Sequence, residues 1–418
     1  MICFSFVKRV SALLGCAVGL GLVMTSAGCS SDPSRRPYLE AMREVTGIRV
    51  ESVEVSPGRA LDLLRACLLR AEEVTYPGAG MRGIRTVTFR FGRKWEGQER
   101  VLTYDSLLGG NPAYINWSEK WYKIPGEFNA ALESCQLYRP NSFAVDAADE
   151  AFLKGYGYTP FFLVNSMKVT LPAKLIHKPG EFPVVIYWAY NSELSKDIGL
   201  DLSPYLGKSV EARLYKTVEP LPESMGPNRA NGRAVILRSE GKVIGAWLDR
   251  GGHYCLACSL KGHTLEEATG KDFDAWVTSL IDPQDPVEQG LAVKTPEEII
   301  QTYYSAIDRK DYATAHACES RESLLNYLAM DMDSDRFLNP GFRDEADTGF
   351  SNFISVKVLK ITREEHFEKL YPPGARCYSV ALQQERKAPA WSTGGYFITL
   401  RQETPGTGWR IYGIGTGP

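Results

Sequence analysis

The residue types best suited to chemistry lie in one short stretch, HYCLACSLKGH, at positions 253–263. Thiolate and imidazole groups are the usual ligands of zinc, and a Cys-x-x-Cys pair is a common half of a zinc site. The same pair could instead form a redox or structural disulfide. The candidate metal ligands in this stretch are His253, Cys255, Cys258 and His263.

The predicted local structure opposes convergence of these side chains. The letters YCLACSL read as a strand that continues from GAWL at 245–248, and residues three apart on a strand point to opposite faces. Cys255 and Cys258 would then be separate strand thiols. A thioredoxin-type pair also needs its first cysteine at a helix N-terminus, and no helix is predicted to start here. A turn within this stretch would restore the metal and disulfide alternatives.

The N-terminal residues have the layout of an export signal. A short basic start at Lys8-Arg9 precedes a run from 11 to 24 that is nearly all apolar or small. The run is shorter than a membrane-spanning segment, which needs about 18 to 20 apolar residues. This order predicts a secretory signal at residues 1–28 that is removed on export.

Three small residues, Ser26-Ala27-Gly28, stand directly before Cys29. A small triplet ending in cysteine resembles the lipobox of bacterial lipoproteins, although Ser26 stands where that motif usually has leucine. The resemblance implies a diacylglyceryl group on the Cys29 thiol and cleavage just before it. Residues 29–37 would then tether an extracytoplasmic protein to the cell membrane. The alternative is a simple secretory signal cut nearby, which would leave Cys29 an ordinary thiol.

Composition excludes some classes of partner. The chain has 48 basic and 50 acidic residues, and loss of the signal changes its net charge from −2 to −4. No basic cluster interleaved with aromatic residues occurs, so a nucleic-acid partner is not expected. No later segment has the run of about 18 apolar residues that a membrane span needs. The 390 residues after the signal are enough for two or three domains.

Six cysteines remain after the signal and Cys29, and they fall two to each predicted domain. An exported chain meets an oxidising compartment, where pairing within a domain is possible. The possible disulfides join Cys67 to Cys135 and Cys318 to Cys377. Buried free thiols, which behave as small apolar groups, are the alternative for both pairs.

Residues 38–140 are predicted to form an α+β domain. Apolar residues at helical spacing in GRALDLLRACLLRAEEV predict an amphipathic helix, and two strand-like runs, IRTVTFRFG and ERVLTYDSLL, follow it. The next run, PAYINWSEKWYKI, carries aromatic residues that could face a ligand. Such a set is more often the packed face of a strand, and that is the interpretation we adopt.

Residues 141–281 are predicted to form a second α+β domain, with a hairpin turn at Ser239-Glu240-Gly241. The segments FLKGYGY, YNSELSKDIGLDLSPYLGKSV and GKVIGAW resemble a domain family of unknown function found in envelope lipoproteins of Gram-positive-type bacteria. The resemblance extends from residue 152 to residue 247. It implies an envelope location and names no activity.

A linker is predicted at 282–295, where DPQDPVEQGLAVKT is rich in proline and has little apolar periodicity. A helix then begins, because Thr295 can cap it, Pro296 suits its first position and Glu298 completes a capping box. A further helical run, broken from the first near Arg309, and four strand-like segments follow: FISVKVLKI, CYSVALQQERK, GGYFITLRQE and WRIYGIG.

Helices followed by a four-strand antiparallel meander resemble the cone-shaped NTF2-like fold, which ketosteroid-isomerase-type enzymes share with many non-enzymatic lipoprotein domains. YYSAIDRKDYATAHA and the closing GWRIYGIGTG carry the resemblance, which spans residues 296–418. It implies helices packed on a curved antiparallel sheet. The fold hosts many functions and so names none.

An isomerase-like pocket needs a carboxylate base and facing hydrogen-bond donors inside the cone. The residues that could supply them are Tyr303, Tyr304, Tyr378, Glu385 and Tyr396. None stands in a motif that matches residue by residue, and a helix with two adjacent tyrosines more often packs them against the sheet. We therefore assign no catalytic residue.

Two further patterns do not meet the requirements of a site. The acidic stretch DMDSDRFLNPGF at 331–342 has Arg336 and Phe342 where an EF-hand loop needs glycine and glutamate. The letters LGKS at 206–209 lack the first glycine of a P-loop, since Leu202 occupies its place. No cofactor is expected from the sequence.

Together these patterns predict a multi-domain α+β lipoprotein with a C-terminal NTF2-like cone. It would be anchored to the membrane by lipid on Cys29. Its role would be binding, sensing or envelope assembly, without catalysis. Its partner would be an envelope protein or a small-molecule ligand. Two alternatives stay open: an enzyme that uses the cavity of the cone, and a metal or redox protein that acts through residues 253–263.

Overall fold

The computed structural model of the protein describes most of the chain from Arg36 onward. The described residues are 36–50, 53–55, 58–75, 84–92, 99–106, 113–128, 131–132, 144–181, 184–225, 232–249, 256–330, 350–387, 395–415 and 417. The predictions for the signal, Cys29, Cys135, His253, Cys255 and the acidic stretch 331–342 lie outside them.

The first part of the chain forms a seven-stranded antiparallel sheet in the order β2-β1-β4-β5-β6-β7-β3. Its strands are β1 (Val45–Val50), β2 (Val53–Val55), β3 (Glu72–Val74), β4 (Ile84–Phe91), β5 (Glu99–Ser106), β6 (Ala113–Trp117) and β7 (Lys120–Ile124). Two helices accompany it, α1 (Arg36–Arg43) and α2 (Arg59–Leu69).

Apolar side chains at helical spacing hold α2 against this sheet. Leu61, Leu64 and Leu68 are buried in one core with residues of β4 and β7, which is how an amphipathic stripe is stabilised. Two aromatic residues of the β6–β7 hairpin, Trp117 and Tyr122, are buried there too. They form a packed strand face, as the sequence predicted.

The middle part forms a four-stranded antiparallel sheet in the order β11-β10-β9-β8. Its elements are α3 (Ala147–Lys154), β8 (Pro160–Thr170), α4 (Val184–Asp197), β9 (Ser209–Thr217), β10 (Arg233–Ser239), β11 (Lys242–Asp249), α5 (Leu265–Thr269) and α6 (Phe273–Thr278). The predicted hairpin turn is confirmed, with Glu240 at φ 50° and Gly241 at φ 77°. Two successive positive φ values give a turn whose twist matches the strands.

The last part forms a second four-stranded sheet in the order β12-β13-β14-β15. Its elements are α7 (Pro286–Ala292), α8 (Pro296–Asp308), α9 (Tyr312–Ala317), α10 (Arg321–Met330), β12 (Phe353–Arg363), α11 (Glu365–Glu368), β13 (Arg376–Arg386), β14 (Gly395–Gln402) and β15 (Trp409–Gly415). The capping box is confirmed, since the Thr295 hydroxyl accepts from the Glu298 amide and the Glu298 carboxylate accepts from the Thr295 amide.

The α+β prediction is confirmed, because helices and antiparallel sheets occur in each part of the described chain. The strand order of the last sheet is the meander that the sequence indicated. One difference is local: the helical run after Arg309 is divided into α9 and α10 rather than continuous. The NTF2-like cone itself stays a prediction.

The segment 282–295, predicted as a linker, is packed into the structure. It contains α7, capped by the Asp285 carboxylate, and it buries Glu288 and Leu291. These are the two buried positions of α7, and only one of them is apolar, so the sequence shows little apolar periodicity here. This segment is therefore part of the junction between the middle and last sheets.

Two more contacts tie the parts together. Leu324 and Leu325 of α10 are buried in the same core as Trp188 and Trp276 of the middle part. A glycine with positive φ allows backbone contact at another point: a Cβ on Gly408 (φ 69°) would lie 2.5 Å from the carbonyl oxygen of Ala292. None of the helices that the structure describes is long and apolar enough to cross a membrane.

Candidate functional site

The chain reverses direction just before Cys258. The amide of Leu248 donates to the Cys258 carbonyl at 2.9 Å, and the Cys258 amide donates back at 3.0 Å. The two residues thus form an antiparallel bridge, and the prediction that this stretch continues the strand of GAWL is wrong.

The described side chains of this stretch go to different places. Cys258 is buried, and its thiol lies 3.1 Å from the Met225 sulfur. His263 is turned towards α4, where Nδ1 lies 3.1 Å from both carboxylate oxygens of Asp197. Among the described residues, no three His, Cys, Asp or Glu side chains converge to hold a metal ion. A metal or redox role that involves His253 and Cys255 stays a prediction.

Asp197, Ser259 and His263 have the residue types of a catalytic triad but not its order. A triad requires the histidine to lie between the serine and the carboxylate. Here the Ser259 hydroxyl donates directly to Asp197 at 2.6 Å. Burial disfavours ionisation of Asp197, but the hydrogen bonds from Ser259 and His263 outweigh it and lower its pKa. The arrangement fastens the loop after Cys258 to the end of α4.

The described cysteines are all buried: Cys67, Cys258, Cys318 and Cys377. Cys318 and Cys377, one of the two pairs proposed from the sequence, are not joined in this structure. Burial raises the pKa of Cys318 to about 12, although nearby Arg410 acts in the opposite direction. A thiol with so high a pKa is a poor nucleophile and a poor metal ligand at neutral pH.

The structure does not assemble the isomerase-like set in the last sheet. Tyr303 and Tyr304 are buried on α8, and burial raises the pKa of Tyr304 above its ordinary value. Tyr378 is buried in the same core. Glu385 is exposed, and the alternation of β13 places it on the face opposite to buried Tyr378. The candidate base is thus separated from the buried tyrosines.

Four charged side chains meet at the junction of the middle and last sheets, and we call them the junction network: Glu288, Arg321, Glu403 and Arg410. Their exposed fractions are between 0% and 3%. Glu288 binds Arg321 through one carboxylate oxygen and Arg410, at 2.6 Å, through the other. Arg321 also binds Glu403 at 2.7 Å. Two positive and two negative charges therefore neutralise one another away from water.

The junction network reaches the middle part through His177. Arg321 donates to the His177 carbonyl at 3.5 Å. Burial, reinforced by the positive charge of Arg321, lowers the pKa of His177 to about 3. The ring is therefore neutral at physiological pH, and its Nδ1 atom has no hydrogen-bond partner among the described residues.

An open groove lies at the turn between β12 and β13, and we call it the hairpin groove. Its volume is about 540 Å³. The residues that matter for its chemistry are Arg363, Glu368, Lys369, Tyr371, Arg376 and Trp409. Three are cationic and one is anionic, which leaves an excess of two positive charges in a chain whose net charge is −2.

Local geometry holds the walls of the hairpin groove in place. The Arg363 guanidinium forms two hydrogen bonds to Glu368, of 2.9 and 3.1 Å. The Ala375 amide donates to the Pro372 carbonyl at 3.1 Å, and Gly374 has φ 88°. In the four residues 372–375, glycine with a positive φ stands third, which a type II turn requires. Proline stands second, where it is common in such turns. The Arg376 guanidinium carbon lies 4.6 Å from the centre of the Trp409 ring.

Two domain families match the chain. Residues 152–248 match the family described as Domain of unknown function (DUF4830), and residues 297–415 match Domain of unknown function (DUF4829). A search of curated proteins and a search of solved structures each returned no match. The sequence-based resemblance of the middle region to a family of unknown function is confirmed, since the DUF4830 match begins at FLKGYGY and ends one residue after GKVIGAW.

The two matches place the sites within the chain. The hairpin groove lies wholly inside the DUF4829 segment. The junction network takes Arg321, Glu403 and Arg410 from that segment and Glu288 from the residues between the matches, while His177 belongs to the DUF4830 segment. The network therefore connects the two matched segments.

Sequence reasoning did not find either site. The junction network joins residues up to 122 positions apart, and an isolated glutamate or arginine carries no sign of such a partner. The hairpin groove had a weak signal in YPPG at 371–374, a turn motif with basic residues nearby. Its contact with Trp409 depends on strand pairing, which that motif does not show.

Proposed function

We propose that the protein is a lipid-anchored extracytoplasmic lipoprotein that binds a ligand or partner and does not transform it. The observation that carries the proposal is the sequence Ser26-Ala27-Gly28-Cys29, preceded by a basic and apolar signal and followed by a polar tether. The first described helix begins at Arg36, so the six residues 30–35 would separate the lipid on Cys29 from this helix.

Binding without chemistry is supported by the state of the ionisable groups. Those of the junction network are buried and paired with one another in ion pairs. Asp197 is bonded to Ser259 and His263 in an order that does not activate the hydroxyl. Glu385 lies on the face opposite to buried Tyr378. The alternative of an enzyme in the cone would need a base other than Glu385.

An NTF2-like architecture for residues 296–418 is part of the same proposal. It is supported by α8, whose buried residues Ile299, Ile300 and Ile307 share one core with the inner face of the four-strand meander. Helices on one face of an antiparallel sheet are what that fold requires. The fold hosts many functions, so it is consistent with a binding protein but identifies no particular ligand.

The anchor is tested by replacing Cys29 with alanine in the full chain and fractionating cells that express it. The wild-type protein is expected in the membrane fraction and the Cys29→Ala protein outside it. Incorporation of a labelled fatty acid should be lost in the same variant. Cys16→Ala, which changes a cysteine inside the predicted signal, is the matched control and should retain both properties. An unlabelled wild-type protein that stays soluble would contradict the anchor.

A further inference from the structure

The hairpin groove has the composition of a binding site for a small anion. Its volume of about 540 Å³ lies within the range of roughly 300 to 1,000 Å³ that small-molecule sites occupy. One wall is basic, through Lys369 and Arg376, and the rest presents apolar surface from Tyr371 and Trp409. A polar anchor beside apolar walls is the usual make-up of such a site.

Arg376 is positioned to bind an oxyanion. The carbon of its guanidinium lies 4.6 Å from the centre of the Trp409 ring, within the range of a cation–π contact. The five N–H donors of an arginine lie in its plane. The contact with Trp409 helps to hold the guanidinium at the groove, and N–H donors of this kind are those that a carboxylate or phosphate engages.

The other charges of the groove reinforce this site. Glu368 is held by Arg363, whose hydrogen bonds lower the pKa of the Glu368 carboxyl. Arg363 is the main partner of that carboxylate, and the charge of Arg376 acts on it more weakly. Lys369 is exposed at the rim, where it can attract an anion over the distance that solvent screening allows. The side chains that line the groove carry an excess of two positive charges.

The groove is also formed in advance of binding. The type II turn at Pro372–Ala375 and the Arg363–Glu368 pair hold its two ends. A site that needs little ordering loses less free energy when the ligand binds. An open groove lined by basic and aromatic side chains suits a small ligand with a charged and an apolar part.

We propose that the hairpin groove binds a small soluble molecule that combines an oxyanion, either phosphate or carboxylate, with a flat apolar part. Arg376 would bind the oxyanion, Trp409 and Tyr371 would contact the apolar part, and Lys369 would add attraction from the rim. This inference rests on the proposed binding function and gives it a site and a class of ligand.

The test is calorimetric titration of the full chain, in neutral detergent, with phenyl phosphate, benzoate and benzyl alcohol. Phenyl phosphate and benzoate should bind, and benzyl alcohol should not. Binding should weaken as the ionic strength rises from about 0.1 M to about 1 M, because the Debye length falls from about 10 Å to about 3 Å. Equal binding of the neutral alcohol, or no binding of either anion, would overturn the proposal.

Variants locate the site. Arg376→Gln should weaken phenyl phosphate binding by roughly tenfold or more, the usual effect of losing a charged hydrogen-bond donor. Lys369→Gln, at an exposed position that cannot disturb folding, should weaken it by roughly two- to fivefold. Arg309→Gln removes one exposed positive charge at the end of α8 and is the matched control. Equal losses in the control would show a general charge effect and overturn the site.

A lipid surface is the other source of phosphate groups, and a separate measurement distinguishes it. Vesicles of phosphatidylglycerol are mixed with the Cys29→Ala protein, which carries no lipid of its own if the anchor is as proposed. Association that depends on Arg376, together with no binding of phenyl phosphate, would overturn the small-ligand assignment. The fractionation experiment on Cys29 does not depend on these titrations, so failure of one proposal is distinguishable from failure of the other.

Discussion

The junction network and the hairpin groove both contain arginine and glutamate, but they use them in opposite ways. In the network all four side chains are at most 3% exposed, and positive and negative charges are equal in number. In the groove Arg363 is 41% exposed and the positive charges are in excess. Buried charges must therefore form ion pairs with one another, whereas charges in an open site remain available to bind a ligand.

Energetics explain why the network must be complete. Moving a charge out of water costs several kcal/mol, and its partner compensates only when the geometry is good. Burial lowers the pKa of Arg410, and the carboxylates of Glu288 and Glu403 act against that change. Charges in the groove remain hydrated, so the loss of one of them leaves nothing buried and unpaired.

Glu288 is the residue whose replacement should break the network most severely. Glu288→Gln removes the carboxylate that binds both Arg321 and Arg410. It should lower the free energy of unfolding by about 3 to 5 kcal/mol, since a buried charge loses its partner. Urea unfolding followed by circular dichroism measures this. Glu266→Gln, at an exposed position of α5, should change stability by no more than about 0.5 kcal/mol, and a Glu288→Gln loss of the same size would contradict the account.

Close packing at the junction can be tested without changing a charge. A Cβ at Gly408 would lie 2.5 Å from the Ala292 carbonyl, and the residue has φ 69°. Gly408→Ala should therefore destabilise the protein by about 1 to 3 kcal/mol. Gly290→Ala on the open side of α7, where nothing lies within 4 Å, should be neutral or stabilising by up to about 1 kcal/mol. Thermal unfolding compares them, and equal changes would show that the junction is not tightly packed.

The Asp197 side chain is 11% exposed, which is more than the side chains of the junction network and less than Arg363 in the hairpin groove. Its pKa is lowered in the folded protein, since the hydrogen bonds from Ser259 and His263 outweigh burial. A carboxyl with a lowered folded pKa stabilises the protein above its unfolded pKa, and the contribution is lost as pH falls through the folded pKa. Wild-type and Asp197→Asn proteins should thus differ in unfolding free energy at neutral pH, and the difference should shrink below about pH 4. A difference that is constant with pH would exclude ionic stabilisation by Asp197.

Local signals in the sequence predicted local structure well. Thr295-Pro296-Glu297-Glu298 sets the start of α8 because every contact of a capping box lies within one turn. Ser239-Glu240-Gly241 sets a hairpin because the turn conformation is a property of those residues. The four strand-like segments named from the sequence likewise coincide with the four strands of the last sheet.

Long-range pairing was not predictable in the same way. Asp197 meets His263 across 66 positions and Glu288 meets Arg410 across 122. The sequence shows the charge of a residue but not its partner. Only the folded structure shows which charged residues are buried and paired. The same limit made HYCLACSLKGH look like one site, when Cys258 enters a core and His263 pairs with α4.

The contrast between the two regions is tested most directly by making the same substitution in both. Arg321→Met and Arg376→Met are compared with wild type by urea unfolding under one set of conditions. The account predicts a loss of about 3 to 5 kcal/mol for Arg321→Met. For Arg376→Met, which removes a partly exposed contact with Trp409, it predicts no more than about 1 kcal/mol. Equal losses, or a larger loss at Arg376, would contradict the division between a closed structural network and an open binding groove.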